Sequence, residues 1–225
     1  MKRLLLLCTL LISFTSFADE LSDAGDAYRN GDYTTAFTLS EKLAEQGIAK
    51  EQYNLGWMYY EGDGTPQDYK AAFKWYTKSA EQGYAEAQFN LGLIYDAGQS
   101  TPQDYKQALY WYAKAAEQNN VEAQTNLGFM YDTGEGIPQD YKQALKWYTK
   151  AAEQDYGKAK FNLGFMYVKG EGTPRNYVMA HMFWNMASIS GTENAKINKD
   201  KVEGMMTLNQ IEEAQQLAKE WMKKY

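Results

Sequence analysis

Apolar residues recur along this chain at helical spacing, in pairs of short segments that are separated by polar turns. Residues 87–95 follow a helical period, and residues 105–116 follow a second one. Between them, residues 96–103 include Gly98 and Pro102, and such residues end one helix before the next begins. The pattern predicts a hairpin of two helices.

The hairpin occurs four times with a fixed period of 36 residues. The recurring residues include Leu55, Leu91, Leu127 and Leu163; Gly56, Gly92, Gly128 and Gly164; Tyr69, Tyr105, Tyr141 and Tyr177; and all four prolines, Pro66, Pro102, Pro138 and Pro174. A fixed period with Gly and Pro punctuation is typical of a stacked array, in which each unit buries its apolar face against its neighbours. We predict four full repeats over residues 51–191, a shorter hairpin over 19–50 and a C-terminal helical cap over 192–225.

Polar residues at the helix starts predict how the second helix of a repeat begins. Asp140 can accept hydrogen bonds from free backbone amides as an N-cap residue, and Gln143 can return a bond in a capping box. Asp104 and Gln107 repeat this pair, whereas Ala71 takes the place of the partner in the first repeat. We therefore expect reciprocal capping boxes in the second and third repeats.

The second helix of the last repeat differs from its counterparts on the face that points away from the core. Repeats one to three carry mostly Lys there, including Lys74, Lys114 and Lys146, and we interpret this stripe as a solvated outer face rather than a binding patch. The last repeat carries apolar residues at the matching positions, which are Val178, Met182, Met186 and Ile189. The final helix, which begins with a capping box at residues 207–210, is expected to cover them, as terminal caps of repeat arrays do.

The repeat carries a motif that extends over nearly the whole chain after residue 18. It reads A-x-x-N-L-G-x-x-Y-x-x-G-x-G-x-P-x-D-Y-x-x-A-x-x-W-Y-x-K-A-A-E-Q, and it varies only in details such as Ser100 in place of a glycine and Phe183-Trp184 as the aromatic pair. This motif resembles the bacterial Sel1-like repeat, a relative of the tetratricopeptide repeat. The resemblance implies an all-α fold, a right-handed α-solenoid of stacked antiparallel helix pairs with a C-terminal capping helix.

The same resemblance implies a role in recognition. Members of this family bind protein partners on a concave face, and exported members include adaptors, envelope assembly factors, host-protein binders and immunity proteins against secreted toxins. A cysteine-rich branch has been linked to penicillin binding and weak β-lactamase activity. The cysteines that this branch carries in each repeat are absent from the sequence here.

The first residues have the features of a secretory signal peptide. Basic residues at positions 2 and 3 precede an apolar run over residues 4–14, which is followed by Ser16-Phe17-Ala18. We expect cleavage after Ala18 and a periplasmic or secreted mature protein. The single cysteine, Cys8, does not follow a small residue, which argues against a lipid-modified cysteine.

Composition disfavours several kinds of function. The chain has 23 Lys and Arg against 29 Asp and Glu, and loss of the signal peptide with its two basic residues lowers the net charge from −6 to −8. Nucleic acid and anionic lipid are poor partners for such a surface.

The apolar run over residues 4–14 is too short to span a bilayer, so no stable membrane insertion is expected. With no other cysteine, and with the single histidine, His181, at a packing position, we expect no catalytic residue, no metal site and no cofactor.

Recognition residues are expected on the first helix of each repeat, at positions between the core residues. The aromatic and apolar candidates are Tyr53, Trp57, Tyr60, Phe89, Leu93, Phe129 and Phe165. They lie on one helix face at i, i+4 and i+7 spacing, and they would supply anchors of the kind that dominate protein interfaces. The alternative is that part of this set packs against the preceding repeat.

Four asparagines recur immediately before the Leu-Gly pair, and these are Asn54, Asn90, Asn126 and Asn162. In tetratricopeptide grooves, an asparagine at the matching place hydrogen-bonds the backbone of a bound peptide, since an amide can donate and accept at once. The alternative is that these asparagines satisfy neighbouring backbone across the repeat junction.

The sequence therefore predicts a non-enzymatic, monomeric protein that binds a protein or peptide partner in the cell envelope, as an adaptor or an assembly factor. A periplasmic immunity protein against a secreted toxin is the alternative within the binding class. A hydrolase of cell-wall material or of β-lactams is the alternative from another class, and it lacks a visible acid–base constellation.

Overall fold

The computed structural model describes residues 20–225, and every regular element within them is an α-helix. The helices of this part are α1 (20–29), α2 (Tyr33–Glu45), α3 (Ala49–Glu61), α4 (Tyr69–Glu81), α5 (Ala85–Ala97), α6 (Tyr105–Glu117), α7 (Val121–Thr133), α8 (Tyr141–Glu153), α9 (Gly157–Lys169), α10 (Tyr177–Ile189), α11 (Ala195–Glu203) and α12 (Leu208–Lys224). None of these helices is long and apolar enough to cross a membrane. The predicted cleavage site after Ala18 and the cysteine at position 8 lie outside the described residues.

The described part of the chain forms two compact units, which are divided between Gln103 and Asp104. In the described part of the first unit, α3 packs against α4 within one repeat, and the pairs α2–α3 and α4–α5 join successive repeats. In the second unit, α7 packs against α8 and α9 against α10 within repeats, while α6–α7 and α8–α9 join them. This arrangement confirms the predicted all-α class of stacked helix pairs.

The second helices begin at capping residues, as predicted, but without the reciprocal bond. The carboxylate of Asp140 accepts from the backbone amides of Lys142 and Gln143 at 2.9 and 3.1 Å. The backbone amide of Asp140 itself donates to the carbonyl oxygen of Tyr131 at 2.8 Å, so it is not free for the side chain of Gln143. The predicted capping box is therefore wrong here, because this amide ties the second helix to the first helix of its own repeat.

The recurring Leu-Gly pair explains how the two helices of a repeat come so close together. A Cβ atom on Gly128 would lie 2.7 Å from the ring of Tyr148, and one on Gly56 would lie 2.8 Å from the ring of Tyr76. Favourable contacts between carbon atoms need about 3.5–4.0 Å. Glycine therefore lets the buried tyrosine of the second helix rest on the backbone of the first.

A series of buried glutamines joins the repeats, and the sequence analysis did not identify it. Gln52, Gln88 and Gln124 stand 36 residues apart, and the Nε2 atom of each donates to a carbonyl oxygen of the preceding helix at 3.1 Å. The side-chain oxygens of Gln52 and Gln124 accept from Gln82 and Gln154, which follow the second helix of the same repeat. These neutral bonds satisfy polar groups that would otherwise be buried without partners.

Helix α11 takes the place of the first helix of one more repeat. Ala195-Lys196-Ile197-Asn198 follows Ala159-Lys160-Phe161-Asn162 by 36 residues, Ala195 is buried, and α11 packs against α10. The match ends at Lys199-Asp200, which stands where the preceding repeat has Leu163-Gly164. In other repeats, the second helix packs on the Leu-Gly residues of the first helix. Because α11 lacks these two residues, α12 packs against α10 instead of pairing with α11.

Helix α12 begins with the predicted capping box, in which Thr207 and Gln210 each bond the backbone amide of the other. It packs on α10 with Ala218 in the contact. Three of the four apolar positions of α10 are buried, and these are Val178, Met182 and Met186. The prediction for Ile189 is wrong, because this last residue of α10 is 65% exposed and borders an open pocket.

Candidate functional site

A pocket of about 290 Å³ lies in the first unit, among side chains of α3, α4 and α5. It is lined by Trp57, Tyr60, Tyr76, Asn90, Leu93, Ile94 and Gln99. Four of these were predicted recognition residues, and they are Trp57, Tyr60, Asn90 and Leu93. The structure thus brings together candidates from two successive repeats.

Trp57 is held in a fixed orientation at the pocket although it is 38% exposed. Its indole nitrogen donates to the hydroxyl of Tyr28 on α1 at 3.2 Å, and this hydroxyl donates to Oδ2 of Asp63 at 2.7 Å. Burial and the hydrogen bond to Asp63 raise the pKa of Tyr28, which keeps its proton available for donation. The ring of Tyr60 stacks beside Trp57, with centroids 6.2 Å apart.

Tyr28 and Asp63 are positioning residues that sequence reasoning missed. Tyr28 belongs to the short first hairpin, and Asp63 lies in the Gly-rich turn after α3. Their hydrogen bond joins residues 35 positions apart in the chain. A repeat motif could have placed each residue in its own turn or helix, but not this contact between them.

Asn90, on the pocket wall, lies beside the hydroxyls of Tyr53 and Tyr76, of which Tyr76 also lines the pocket. Its side chain lowers the pKa of both Tyr53 and Tyr76, although burial has the larger effect and raises both values. A carboxamide offers two donors and an acceptor oxygen with two lone pairs. Contact with two hydroxyls therefore leaves hydrogen-bonding capacity for a ligand in the pocket.

Two of the other predicted asparagines, Asn54 and Asn162, contact side chains. Asn54 Nδ2 donates to the carboxylate of Glu51 at 3.1 and 3.2 Å, and buried Glu51 accepts from Ser40 at 3.0 Å. Asn162 lies beside the hydroxyl of Tyr148 and lowers its pKa, against a larger increase caused by burial. Asn126 is half-buried. The amides of Asn54 and Asn162 thus have side-chain partners, and binding of a peptide backbone by these asparagines stays a prediction.

The predicted aromatic and apolar residues differ in how accessible they are. Trp57, Leu93 and Phe129 are 38, 39 and 48% exposed. Tyr53 packs against the rings of Tyr76 and Tyr84, and Phe89 is half-buried, so these two serve packing at least in part. The most open anchors are therefore one side chain from each of the first three full repeats.

Phe165 has a packing role at the end of the second unit. Its ring meets that of Trp184 edge-on at 5.2 Å, and both belong to a cluster that contains Val202 of α11. Phe165 therefore serves packing at least in part.

His181 is buried, in agreement with a packing position. Its Nε2 atom lies 2.7 Å from Oε1 of Glu203 on α11, and Nδ1 has no hydrogen-bond partner among the described residues. The hydrogen bond with His181 lowers the pKa of Glu203. This pair ties α11 to α10. Within residues 20–225, no group of three His, Cys, Asp or Glu side chains could hold a metal ion.

The outer lysines lie over the tryptophans of their own helices. Lys78 Nζ lies 4.1 Å from the ring centre of Trp75, and Lys150 Nζ lies 4.4 Å from that of Trp147. Such cation–π contacts contribute about 0.5–1 kcal/mol at exposed sites. They account for the Lys spacing without a ligand, which favours the interpretation as a solvated face.

Comparison with known proteins gives one family over most of the chain. The sequence matches the Sel1 repeat family over residues 22–48, 52–84, 85–120, 121–156 and 157–191, so that the short first hairpin is matched as a repeat as well. The structure is similar to a Sel1 repeat protein from Oxalobacter formigenes, with a TM-score of 0.76 and 33% identity, over 80% of this chain and 72% of the other.

Two further likenesses are partial. The c5321 protein, a protective antigen present in uropathogenic Escherichia coli strains, has an SLR fold and is 31% identical, with a TM-score of 0.57 over 95% of this chain and 55% of its own. The DAP3-binding cell death enhancer 1 of Rattus norvegicus is 48% identical over 40 residues, which are 18% of this chain. The chain spans about 8% of the length of the curated relatives that it matches.

Proposed function

We infer that this chain, because it belongs to the Sel1 repeat family, is a non-enzymatic adaptor or assembly factor that binds a protein or peptide in the cell envelope. Sel1 repeat solenoids are typical scaffolds for protein interaction. The proposed contact surface is the pocket of the first unit with its rim, and Phe129 is a further anchor in the second unit.

The observation that carries this proposal is that a hydrogen bond holds Trp57 beside a pocket lined by aromatic and apolar side chains and by Asn90. Trp57 is partly exposed, and its hydrogen bond to Tyr28 restricts in advance the side-chain freedom that binding would otherwise have to restrict. The pocket would accept an apolar or aromatic side chain of the partner, as interface pockets do. Asn90 on its wall would bond a peptide group next to that side chain.

Two pocket variants and two outer-face variants test this function. Immobilised protein with Trp57→Ala or Asn90→Ala should recover a periplasmic partner five- to thirtyfold less well than the parent, the range that corresponds to about 1–2 kcal/mol. Lys74→Ala and Lys146→Ala, on the solvated face, are the matched controls and should recover it unchanged. The measurement is quantitative mass spectrometry of the captured proteins, with circular dichroism and thermal melts of each variant.

The opposite pattern would show that the wrong face has been assigned. If the lysine variants lose a partner that the Trp57 and Asn90 variants retain, the outer face binds and the pocket does not. A captured secreted toxin would favour the immunity function over an assembly role. If Trp57→Ala loses helicity, Leu93→Ala replaces it in the experiment, because Leu93 is another exposed residue at the pocket rim.

Export is the second part of the proposal, and it is supported by the pattern of the first 18 residues. Protein released by osmotic shock should begin at Asp19 on N-terminal sequencing. Ala18→Leu replaces a small residue at the cleavage position and should leave a longer precursor in the membrane fraction. Cys8→Ala is the control, and processing should be unchanged. Retention of the parent in the cytoplasm, or a lipid that Cys8→Ala abolishes, would contradict this.

A further inference from the structure

A larger pocket of about 1120 Å³ lies at the end of the second unit. It is bounded by the start of α9, the end of α10, the loop over residues 190–194 and the end of α12. The side chains that matter for its chemistry are Lys160, Phe161, Met186, Ser190 and Trp221. The pocket is separate from the one that carries the proposed function.

Lys160 is an exception in the series of buried glutamines. It stands 36 residues after Gln124, and its side chain is only 2% exposed. The nitrogen is paired with the carboxylate of Asp155 and lies 3.5 Å from the hydroxyl of Ser190. Ser190 in turn stands 36 residues after Gln154. A neutral amide pair in the earlier repeat is thus replaced here by a buried ammonium group and a much smaller side chain.

The pairing of Lys160 is weak for so deeply buried a charge. The side chain of Asp155 is 79% exposed, so most of its interactions are with water. An ammonium group has three donors, and burial of a charge is costly unless these donors and the charge are matched. The exchange of glutamine for serine leaves room beside the nitrogen, where the pocket begins.

The remaining charges do not compensate for Lys160 inside the pocket. Lys158 and Glu193 also line it, but both are exposed, and their charges have opposite signs. The buried end of the pocket therefore presents the ammonium group of Lys160, with the paired carboxylate of Asp155 beside it on the lining. The helices α9, α10 and α12 contribute apolar side chains to the other walls, and Ile189 and Met222 at the rim are 65 and 46% exposed.

We propose that this pocket binds a carboxylate that is attached to an apolar or aromatic group. The carboxylate accepts charge-assisted hydrogen bonds from Lys160, in place of Asp155, while the apolar group packs against Phe161, Met186 and Trp221. Asp155, whose side chain is already 79% exposed, turns into solvent, and the carboxylate of the ligand takes its place, so the buried ammonium group is not left unpaired. Such a carboxylate exists both at the C-terminus of a peptide and in small organic acids.

The experiment compares an acid with its neutral amide. N-acetylphenylalanine and N-acetylphenylalanine amide are titrated by isothermal calorimetry into the full mature chain. The acid should bind at least ten times more tightly than the amide, because only the acid can accept charge-assisted hydrogen bonds from Lys160. Lys160→Gln restores the residue type of the other repeats and should abolish this difference without loss of the fold. Lys219→Gln, on the exposed side of α12 and outside the pocket lining, is the matched control and should change affinity less than twofold.

A third variant distinguishes a binding site from a structural ion pair. Asp155→Asn removes the competing carboxylate and should strengthen binding of the acid severalfold. If Lys160 and Asp155 serve stability alone, Asp155→Asn would lower the melting temperature and leave the acid unbound, which would overturn the proposal. Equal binding of acid and amide, or unchanged binding by Lys160→Gln, would overturn it as well.

The source of the carboxylate is separated by one more pair of probes. The peptide Ala-Ala-Ala-Phe and its C-terminal amide are titrated in the same way. Tighter binding of the free peptide than of N-acetylphenylalanine identifies a peptide C-terminus, and weaker binding identifies a small acid. Trp57→Ala should leave all of these affinities unchanged, because Trp57 belongs to the pocket of the first unit. If neither acid binds near Lys160, the function proposed for the first unit is therefore not affected.

Discussion

Deletion of Leu208–Tyr225 is expected to cause the largest loss of stability, because it uncovers α10. Met182 and Met186 are buried there against α12, and burial of each such side chain contributes about 1.5–3 kcal/mol. Loss of both contacts should lower the melting temperature on the order of 10 °C for a protein of this size. Circular dichroism melts measure the shift, and binding of a hydrophobic dye reports the exposed surface. Ile189 adds nothing to this sum, since it is exposed already.

Point substitutions in α12 separate the loss of its contacts from the effect of shortening the chain. Ala218 is 1% exposed within the cluster on α10, so Ala218→Glu should reproduce much of the destabilisation. Gln215→Glu introduces the same charge on the exposed side of the helix, four residues before Lys219, and should change little. A truncated protein as stable as the parent would show that α12 is not the element that protects α10.

Gly128→Ala is expected to destabilise the protein although alanine is the better helix former. The new Cβ atom would lie 2.7 Å from the buried ring of Tyr148, and overpacking of this kind costs about 1–3 kcal/mol. Gly25→Ala is a matched control, because the nearest atom to its Cβ would belong to the flexible side chain of Arg29 at 3.4 Å. That variant should be neutral or more stable by up to about 1 kcal/mol.

The comparison of these two glycine variants tests whether the recurring glycine is a packing requirement. Urea denaturation of both proteins gives their free energies of unfolding relative to the parent. Equal stability of the two variants would mean that Tyr148 can move away from α7 at little cost. The close approach of the helices would then not explain why the glycine recurs.

The hairpins could be predicted because their signals are local. The 36-residue period, the prolines and the capping aspartates each act within a few residues of the structure that they specify. The capping box at Asp140 was predicted wrongly because its amide has a partner, Tyr131, in the preceding helix. Residue types near a helix start cannot reveal such a competitor.

The features that were missed depend on contacts between distant residues or on weakened repeats. Trp57 and Asn90 were identified because both follow the repeat, but the pocket also needs Tyr28, which lies in the irregular first hairpin. Helix α11 begins with Ala-Lys-Ile-Asn, as α9 has Ala-Lys-Phe-Asn. Its similarity to the repeats was missed because Lys199-Asp200 stands in place of the Leu-Gly residues that mark a first helix. The pocket beside Lys160 requires the loop over residues 190–194, whose course no periodicity indicates.

The replacement of Leu-Gly by Lys199-Asp200 has a consequence for how molecules of this protein meet. A regular array leaves on its last unit a surface to which the first unit of another molecule could attach, and head-to-tail contacts of that kind produce open filaments. Here α11 carries charged residues where the repeat has Leu-Gly, and α12 packs on α10. We therefore expect Lys199 and Asp200 to disfavour head-to-tail contacts at this last unit.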